Sequence, residues 1–283
     1  MPKALELMSG MQIGADPELF IYDTNKNEFV CPDGLVPGTK EEPHKVDGGA
    51  VQQDGFAAEF NIDPCDNYPD FRDRILGVQD QLQKMLPSHL KLVPVASAQF
   101  SPEQWARASQ QTKELGCSPD YNAWALNVNP PPKAEDMLRC AGGHLHFGWT
   151  DNADTSDKEY YKASIDLVRQ LDWMLGAWSL YHDKDSQRRK MYGRAGSMRF
   201  KPYGVEYRTL SNFWLDRGGR SNNLLLNTWN RCAKAIDLMA TSHYPTEFAS
   251  YNLSLIKAID TSTMSGMLFS SASFTAPIKK LPA

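Results

Sequence analysis

The sequence predicts an α+β fold built around a sheet, and three observations carry that expectation. Short strand patterns separated by turns fill the first third of the chain. Helical periodicity is confined to a few stretches, and strands and helices do not alternate as regular βαβ units. With 283 residues, 41% hydrophobic and 23% charged, the chain can bury a substantial core as ordinary globular proteins do. No internal repeat, low-complexity block or long charged linker divides it, so residues 1–283 read as one domain.

Ile13 to Tyr22 and Glu28 to Val30 suggest a hairpin around Asp23–Asn27. Cys31 to Gly49, rich in proline, glycine and charge, reads as a loop long enough to be functional. Ala50 to Ile62 resumes a strand pattern with a break at Asp54-Gly55. Tyr68 to Leu86 places Phe71, Ile75, Leu76, Leu82 and Met85 on one helical stripe, ended by Pro87. Leu90 to Ala96 is a strand, whereas Ser101 to Pro132 is interrupted by Cys117-Ser118-Pro119-Asp120 and by three prolines. Arg139 to Trp149 forms the next strand. Ser156 caps a long helix to about Tyr181, with Ile165, Val168, Leu171, Leu175 and Trp178 as its apolar stripe. A basic loop, a strand from Val205 to Leu210 and a helix from Asn223 to Met239 follow.

The formal charge of −4 gives no reason to expect nucleic acid or an anionic membrane as partner. No apolar run approaches a membrane span, and the first residues lack a signal-peptide core, so a cytoplasmic location is expected. Five scattered cysteines without a CxxC pair fit reduced, buried thiols. Cys140, beside the histidine strand, reads as a small core residue in preference to a ligand.

Four segments carry chemistry in strand register. In Ile13–Phe20, Asp16 and Glu18 share a face, and Pro17 limits pairing there to an edge or a bulge. In Asp54–Pro64, Glu59, Asn61 and Asp63 alternate with Phe60 and Ile62, offering oxygen ligands for a hard cation. Gly142–Gly148, GGHLHFG, projects His144 and His146 to one side and Leu145 and Phe147 to the other. Arg188 to Asn212 concentrates Arg188, Arg189, Lys190, Arg194, Arg199 and Lys201 before Glu206 and Arg208, as an anionic ligand would require. Carboxylates for metal beside arginines for phosphate are the inventory of nucleotide-dependent phosphoryl transfer. No GxxxxGK[ST] or kinase-type glycine loop is present.

The ordered set GADPELF, DGFAAEFNIDP, GGHLHFG and YGRAGSMRFKPYGVEYRTLSNFW resembles the phage-type carboxylate–amine ligases of the glutamine synthetase and glutamate–cysteine ligase superfamily. The resemblance implies an α+β fold whose mainly antiparallel sheet curves around the active site, with helices on its outer face. It implies ATP with Mg²⁺, or Mn²⁺ in its place, held by Asp16, Glu18, Glu59, His144 and Glu206. Phosphate contacts from His144, His146, Arg194 and Arg199 are implied too, with Arg199, Arg208 and Glu59 in the catalytic roles. One departure stands out: many relatives carry two glutamates where this chain has Asp16-Pro17-Glu18, which leaves open which of the two acids binds metal. The implied reaction joins a small-molecule or peptide carboxylate to an amine through an acyl phosphate. Homo-oligomers and a host-cell cytoplasm are implied as well. Two rivals come from other classes: a zinc-dependent hydrolase using His144 and His146, and a non-catalytic phage binding protein that keeps the fold.

Overall fold

The computed structural model describes residues 10–114, 120–131, 137–218, 223–240 and 249–263. The first half contains β1 (Gln12–Asp23), β2 (Glu28–Val30), β3 (His44–Val46), β4 (Gly49–Asp54), β5 (Ala57–Ile62), α1 (Tyr68–Met85), β6 (Leu90–Val93) and β7 (Ser97–Gln99). Two short helices follow, α2 (Pro102–Arg107) and α3 (Gln110–Lys113), then β8 (Tyr121–Asn122), β9 (Asn127–Val128), β10 (Leu138–Cys140) and β11 (Gly143–Gly148). The last part holds α4 (Lys158–Leu171), α5 (Ser186–Met191), β12 (Ser197–Lys201), β13 (Gly204–Tyr207), α6 (Leu224–Ala240) and α7 (Ala249–Asp260). The main sheet runs β3-β4-β5-β1-β11-β13-β12-β8-β9, with β2 and β6 also paired to β1, while β7 and β10 form a separate pair. Pairing among the described strands is antiparallel. The expected α+β class, with a large mainly antiparallel sheet and helices, is what forms.

Alternation along the strands decides the two faces of the sheet. Ile13, Leu19, Phe60, Leu145, Phe147, Met198, Val205 and Tyr207 join one core, with Phe71, Ile75, Val78 and Leu82 of α1, Ile165, Val168 and Leu171 of α4, and Trp229, Cys232 and Ile236 of α6. Helices α1, α4 and α6 therefore pack on one face of the sheet, while Phe20, Phe56, Phe100 and Ala108 belong to a second, separate cluster against which Trp105 of α2 packs. Asn67 caps α1 by accepting from the Asp70 amide, and Pro69 sits in the first turn where its missing N–H is harmless.

Several local expectations change. β1 is central in the sheet, yet Pro17 does lie at a bulge. Between the Ile13↔Cys65 bridge and the Glu18↔Glu59 pair, β1 advances five residues and its partner six. That slip leaves Asp63 exposed instead of beside Asn61. The loop from Cys31 to Gly49 contains the short edge strand β3. Arg139–Trp149 is two strands, because the chain leaves the β7 pairing at Cys140 and enters the main sheet only at Gly143. The helix after Asp154 is capped by Asp157, whose carboxylate accepts from the Glu159 and Tyr160 amides, while the Ser156 hydroxyl donates to Asp154. β12 lies within the stretch that reads as a basic loop, because the charges of Arg199 and Lys201 hide the alternation of Met198 and Phe200. Cys31, Cys65 and Cys232 are buried thiols; Cys140 is half-buried with Sγ 3.3 Å from Met191 Sδ. Cys117 and Pro132 lie outside the described residues, as does much of 215–283. No helix among the described residues is long and apolar enough to cross a membrane.

Candidate active site

Cross-strand register assembles the site. Asp16 of β1 pairs with His144 of β11, and Glu18 with Glu59 of β5. His146 pairs with Glu206 of β13, which in turn pairs with Arg199 of β12. Gln52 of β4 stands opposite Glu59. These residues line one cavity of about 760 Å³, together with Lys40, Asp54, Asn61, Trp149, Lys201, Tyr203 and Arg208. That volume lies within the range of ligand pockets. Four segments separated by up to about two hundred residues in sequence are thus adjacent rows of one polar surface.

Two groups of donor atoms stand out, each with its ligand atoms within 4.8 Å of one another: Asp16, His146 and Glu206, and Glu18, Asp54 and Glu59. In the first group Asp16 Oδ1 and His146 Nε2 are 2.9 Å apart. Both atoms are buried and neither makes an aligned hydrogen bond, and the same holds for Glu206 Oε2. Neighbouring ligands of an octahedral Mg²⁺, at bonds of about 2.1 Å, also stand about 3 Å apart. The donor set, with Asp16 Oδ1 and His146 Nε2 lacking an aligned hydrogen bond, therefore fits a hard divalent cation. Tyr203 and His146 Nδ1 share a short hydrogen bond that orients the ring.

The second group fits a cation for an electrostatic reason. Burial, followed by the charges of Asp16, Glu18 and Asp54, pushes the Glu59 carboxyl well above its usual range. Lys40 Nζ is 4.0 Å from Asp54 and half-exposed, too wet to neutralise three carboxylates. Glu18 Oε2 is fixed by the Gly142 amide at 2.6 Å and the Tyr192 hydroxyl at 3.0 Å, and Glu59 accepts from Gln52 at 3.0 Å. Asp16 falls in the first of these groups and Glu18 in the second.

A cationic wall closes the other side. Arg208 is 4% exposed; its Nε donates to Asp120 at 2.7 Å, while Nη1 contacts Glu206 and lies 3.2 Å from His144 Nδ1. Arg199 lies 3.7 Å from both Asp120 and Glu206, and Lys201 Nζ is 2.9 Å from Glu206 Oε2. Burial opposes ionisation of Glu206, but Arg208 outweighs it and holds the carboxyl down at about 2. Asp16 behaves alike: burial would raise its carboxyl, and His146 with His144 pulls it well below the usual range. His146 is raised, since the Asp16 charge overcomes the cost of burial.

Of the residues singled out from sequence, Asp16, Glu18, Glu59, His144, His146, Arg199, Glu206 and Arg208 all line the cavity. His144 lies deeper than His146, between Asp16 at 3.5 Å, Glu206 at 3.7 Å and Arg208, and outside both cation groups. A zinc centre built on both histidines thus has only His146 in a donor group among the described residues. Arg194 is not among the lining residues: left-handed turns at Gly193 and Gly196 direct the chain toward α7, where burial raises the Asp260 carboxyl and the Ala195 amide and Arg194 offset it only in part. Arg188 and Arg189 are buried and bind backbone carbonyls and serines, so these two of the segment's basic residues are structural. Sequence reasoning misses Asp54, Asp120, Gln52 and Tyr203 as site residues, and counts Lys201 only within the basic run. Asp54 shares strand parity with Gln52, a usable signal, whereas Asp120 lies in irregular chain with none.

Among solved structures similar to this chain is a bifunctional glutathione synthetase from Pasteurella multocida, at a TM-score of 0.51 and 12% identity. The likeness covers 91% of this chain but only 42% of that one, and at such identity it concerns the fold. No curated protein matches the sequence. Residues 138–244, which include the histidine strand, the cationic wall and Glu206, match the family model of phage phiEco32-like COOH.NH2 ligase-type 2.

Proposed function

We propose that the protein is an ATP-dependent carboxylate–amine ligase working through an acyl phosphate. The observation that carries this reading is the placement of two carboxylate groups and a cationic wall around one cavity, which suits a triphosphate with its metal ions. Asp16, His146 and Glu206 would hold one Mg²⁺ or Mn²⁺, and Glu18, Asp54 and Glu59 another; bound there, such ions neutralise phosphate charge. Arg199, Lys201 and Arg208 face the transferring phosphoryl group, and buried His144 keeps Arg208 and Asp16 apart and oriented. A substrate carboxylate oxygen attacks the γ-phosphorus and ADP leaves. The amine then attacks the acyl carbon, phosphate leaves, and the amine gives up its proton. The glutamine synthetase-like curvature, a single domain over residues 1–283 and a cytoplasmic setting belong to the same proposal.

The test is ADP release from ATP and Mg²⁺ with a panel of carboxylates and amines. Release should require both substrates, and Glu59→Gln and Arg199→Ala should each lower it by about 10²-fold or more. Release that persists in both variants would overturn the site assignment.

A further inference from the structure

The helix begun by α4 continues past Leu171 as a π-helical segment, Asp172–Gly176, and one more α turn, Ala177–Ser179. Such segments are rare and concentrate where a side chain must be re-aimed. Here the first residue of the segment is Asp172, fully buried on the helix-covered side of the sheet. Its Oδ2 accepts from Trp124 Nε1 and from the Gly196 amide, both at 2.6 Å. Its Oδ1 accepts from Tyr207 Oη at 2.7 Å and Thr209 Oγ1 at 3.0 Å. All four donors are neutral dipoles on segments remote from Asp172 in sequence.

Each donor adjoins part of the cationic wall. Tyr207 and Thr209 flank Arg208, and Tyr207 follows Glu206. Gly196 leads into β12, which carries Arg199 and Lys201. Trp124 follows β8, which pairs with β12 at Ser197↔Asn122 and begins next to Asp120. Because successive strand residues point to opposite faces, fixing Tyr207 and Thr209 from behind sets where Glu206 and Arg208 project in front. The space is closed as well: a methyl at Gly176 would come within 3.2 Å of Asp172 Oδ1 and of Tyr207 Oη. Burial lifts the Asp172 carboxyl to about 6, so near neutral pH its ionised form costs the fold stability.

We propose that Asp172 is the positioning residue that clamps β8, β12 and β13 from the helix side and so aligns Arg199, Lys201 and Arg208 for phosphate. The inference rests on the ligase reading of the cavity. It assigns a role in binding to a residue that touches neither substrate nor metal.

Calorimetric titration of the full chain with ATP in Mg²⁺ tests it, because stoichiometry counts folded protein while affinity reports alignment. Asp172→Ala should weaken ATP roughly tenfold or more at unchanged stoichiometry, a loss of the size that misplacement of aligned groups produces. Thr209→Val and Tyr207→Phe, which each remove one donor and leave the carboxylate, should give smaller losses of about two- to fivefold, within the worth of one hydrogen bond. Asp172→Asn should stay close to wild type, since its amide can accept from Trp124 and Gly196 while donating to the two hydroxyls. A purely structural role would lower stoichiometry and leave affinity alone; that pattern, or wild-type affinity in Thr209→Val and Tyr207→Phe, overturns the proposal. These two variants decide the matter if Asp172→Ala does not fold. Absence of ATP binding by the wild-type protein would instead remove the ligase reading, and this inference with it.

Discussion

Asp120→Ala should destabilise the protein through Arg208, although no sequence pattern marks Asp120. The Arg208 guanidinium is 4% exposed, so water cannot replace a lost partner. Asp120 Oδ1 holds its Nε at 2.7 Å, and Glu206 holds Nη1. Removing one member of a buried ion pair costs about 3–5 kcal/mol, and the surviving Glu206 contact places this case near the lower end, about 3 kcal/mol. Asparagine keeps an acceptor for Nε and gives up only the charge, which leaves about 1 kcal/mol, the scale of one hydrogen bond. At about 2–4 °C per kcal/mol for a chain of this size, Tm should fall by about 6–12 °C for alanine and about 2–4 °C for asparagine. Urea unfolding should show a lower midpoint at unchanged slope, with ATP affinity falling in parallel. If both variants stay within about 0.5 kcal/mol of wild type, as surface substitutions do, Asp120 does not hold Arg208 and the account of the wall is wrong.

Three further outcomes follow from the same geometry. Tyr203→Phe removes the partner of His146 Nδ1 and should weaken Mn²⁺ binding about 10- to 100-fold by calorimetry with little change in Tm; unchanged affinity would show that the ring is oriented without it. Burial raises the Asp172 carboxyl from 3.8 to about 6, so the neutral form is favoured by the fold: that stability is complete below pH 3.8 and lost as pH rises through about 6. Relative to Asp172→Asn in metal-free buffer, the wild type should therefore lose about 2.4 kcal/mol between pH 4 and 7, and parallel stability curves would refute this. Gly143→Ala should cost about 1–3 kcal/mol in chemical denaturation, because its methyl would collide with the Ser211 carbonyl and the Trp214 indole; a neutral result would mean β11 can shift freely.

Much of the site is legible in the sequence because strand alternation is a local property. Asp16 with Glu18, His144 with His146, and Glu206 with Arg208 each share a face by parity alone, and all six reach the cavity. Where the local pattern is masked or broken, sequence reasoning fails. Charge on Arg199 and Lys201 conceals β12, and the bulge opposite Pro17 turns Asp63 outward. Arg188 and Arg194 share a basic run with Arg199, yet one supports backbone carbonyls and the other faces α7. A guanidinium count records charge; burial and partners decide its use.

The sequence by itself determined the alternation of each strand, the amphipathic stripes of the long helices, and so which residues could share a polar face. Those depend on neighbours two to four positions away. Only the tertiary structure decided that Asp16 joins His146 and Glu206 while Glu18 joins Asp54 and Glu59. It alone revealed Asp120 and Tyr203 as the supports of Arg208 and His146, and Asp172 as a clamp beneath the wall. Those groupings arise from strand order and register across long stretches of chain, where contact between segments is set by how the sheet closes its core and not by any local period.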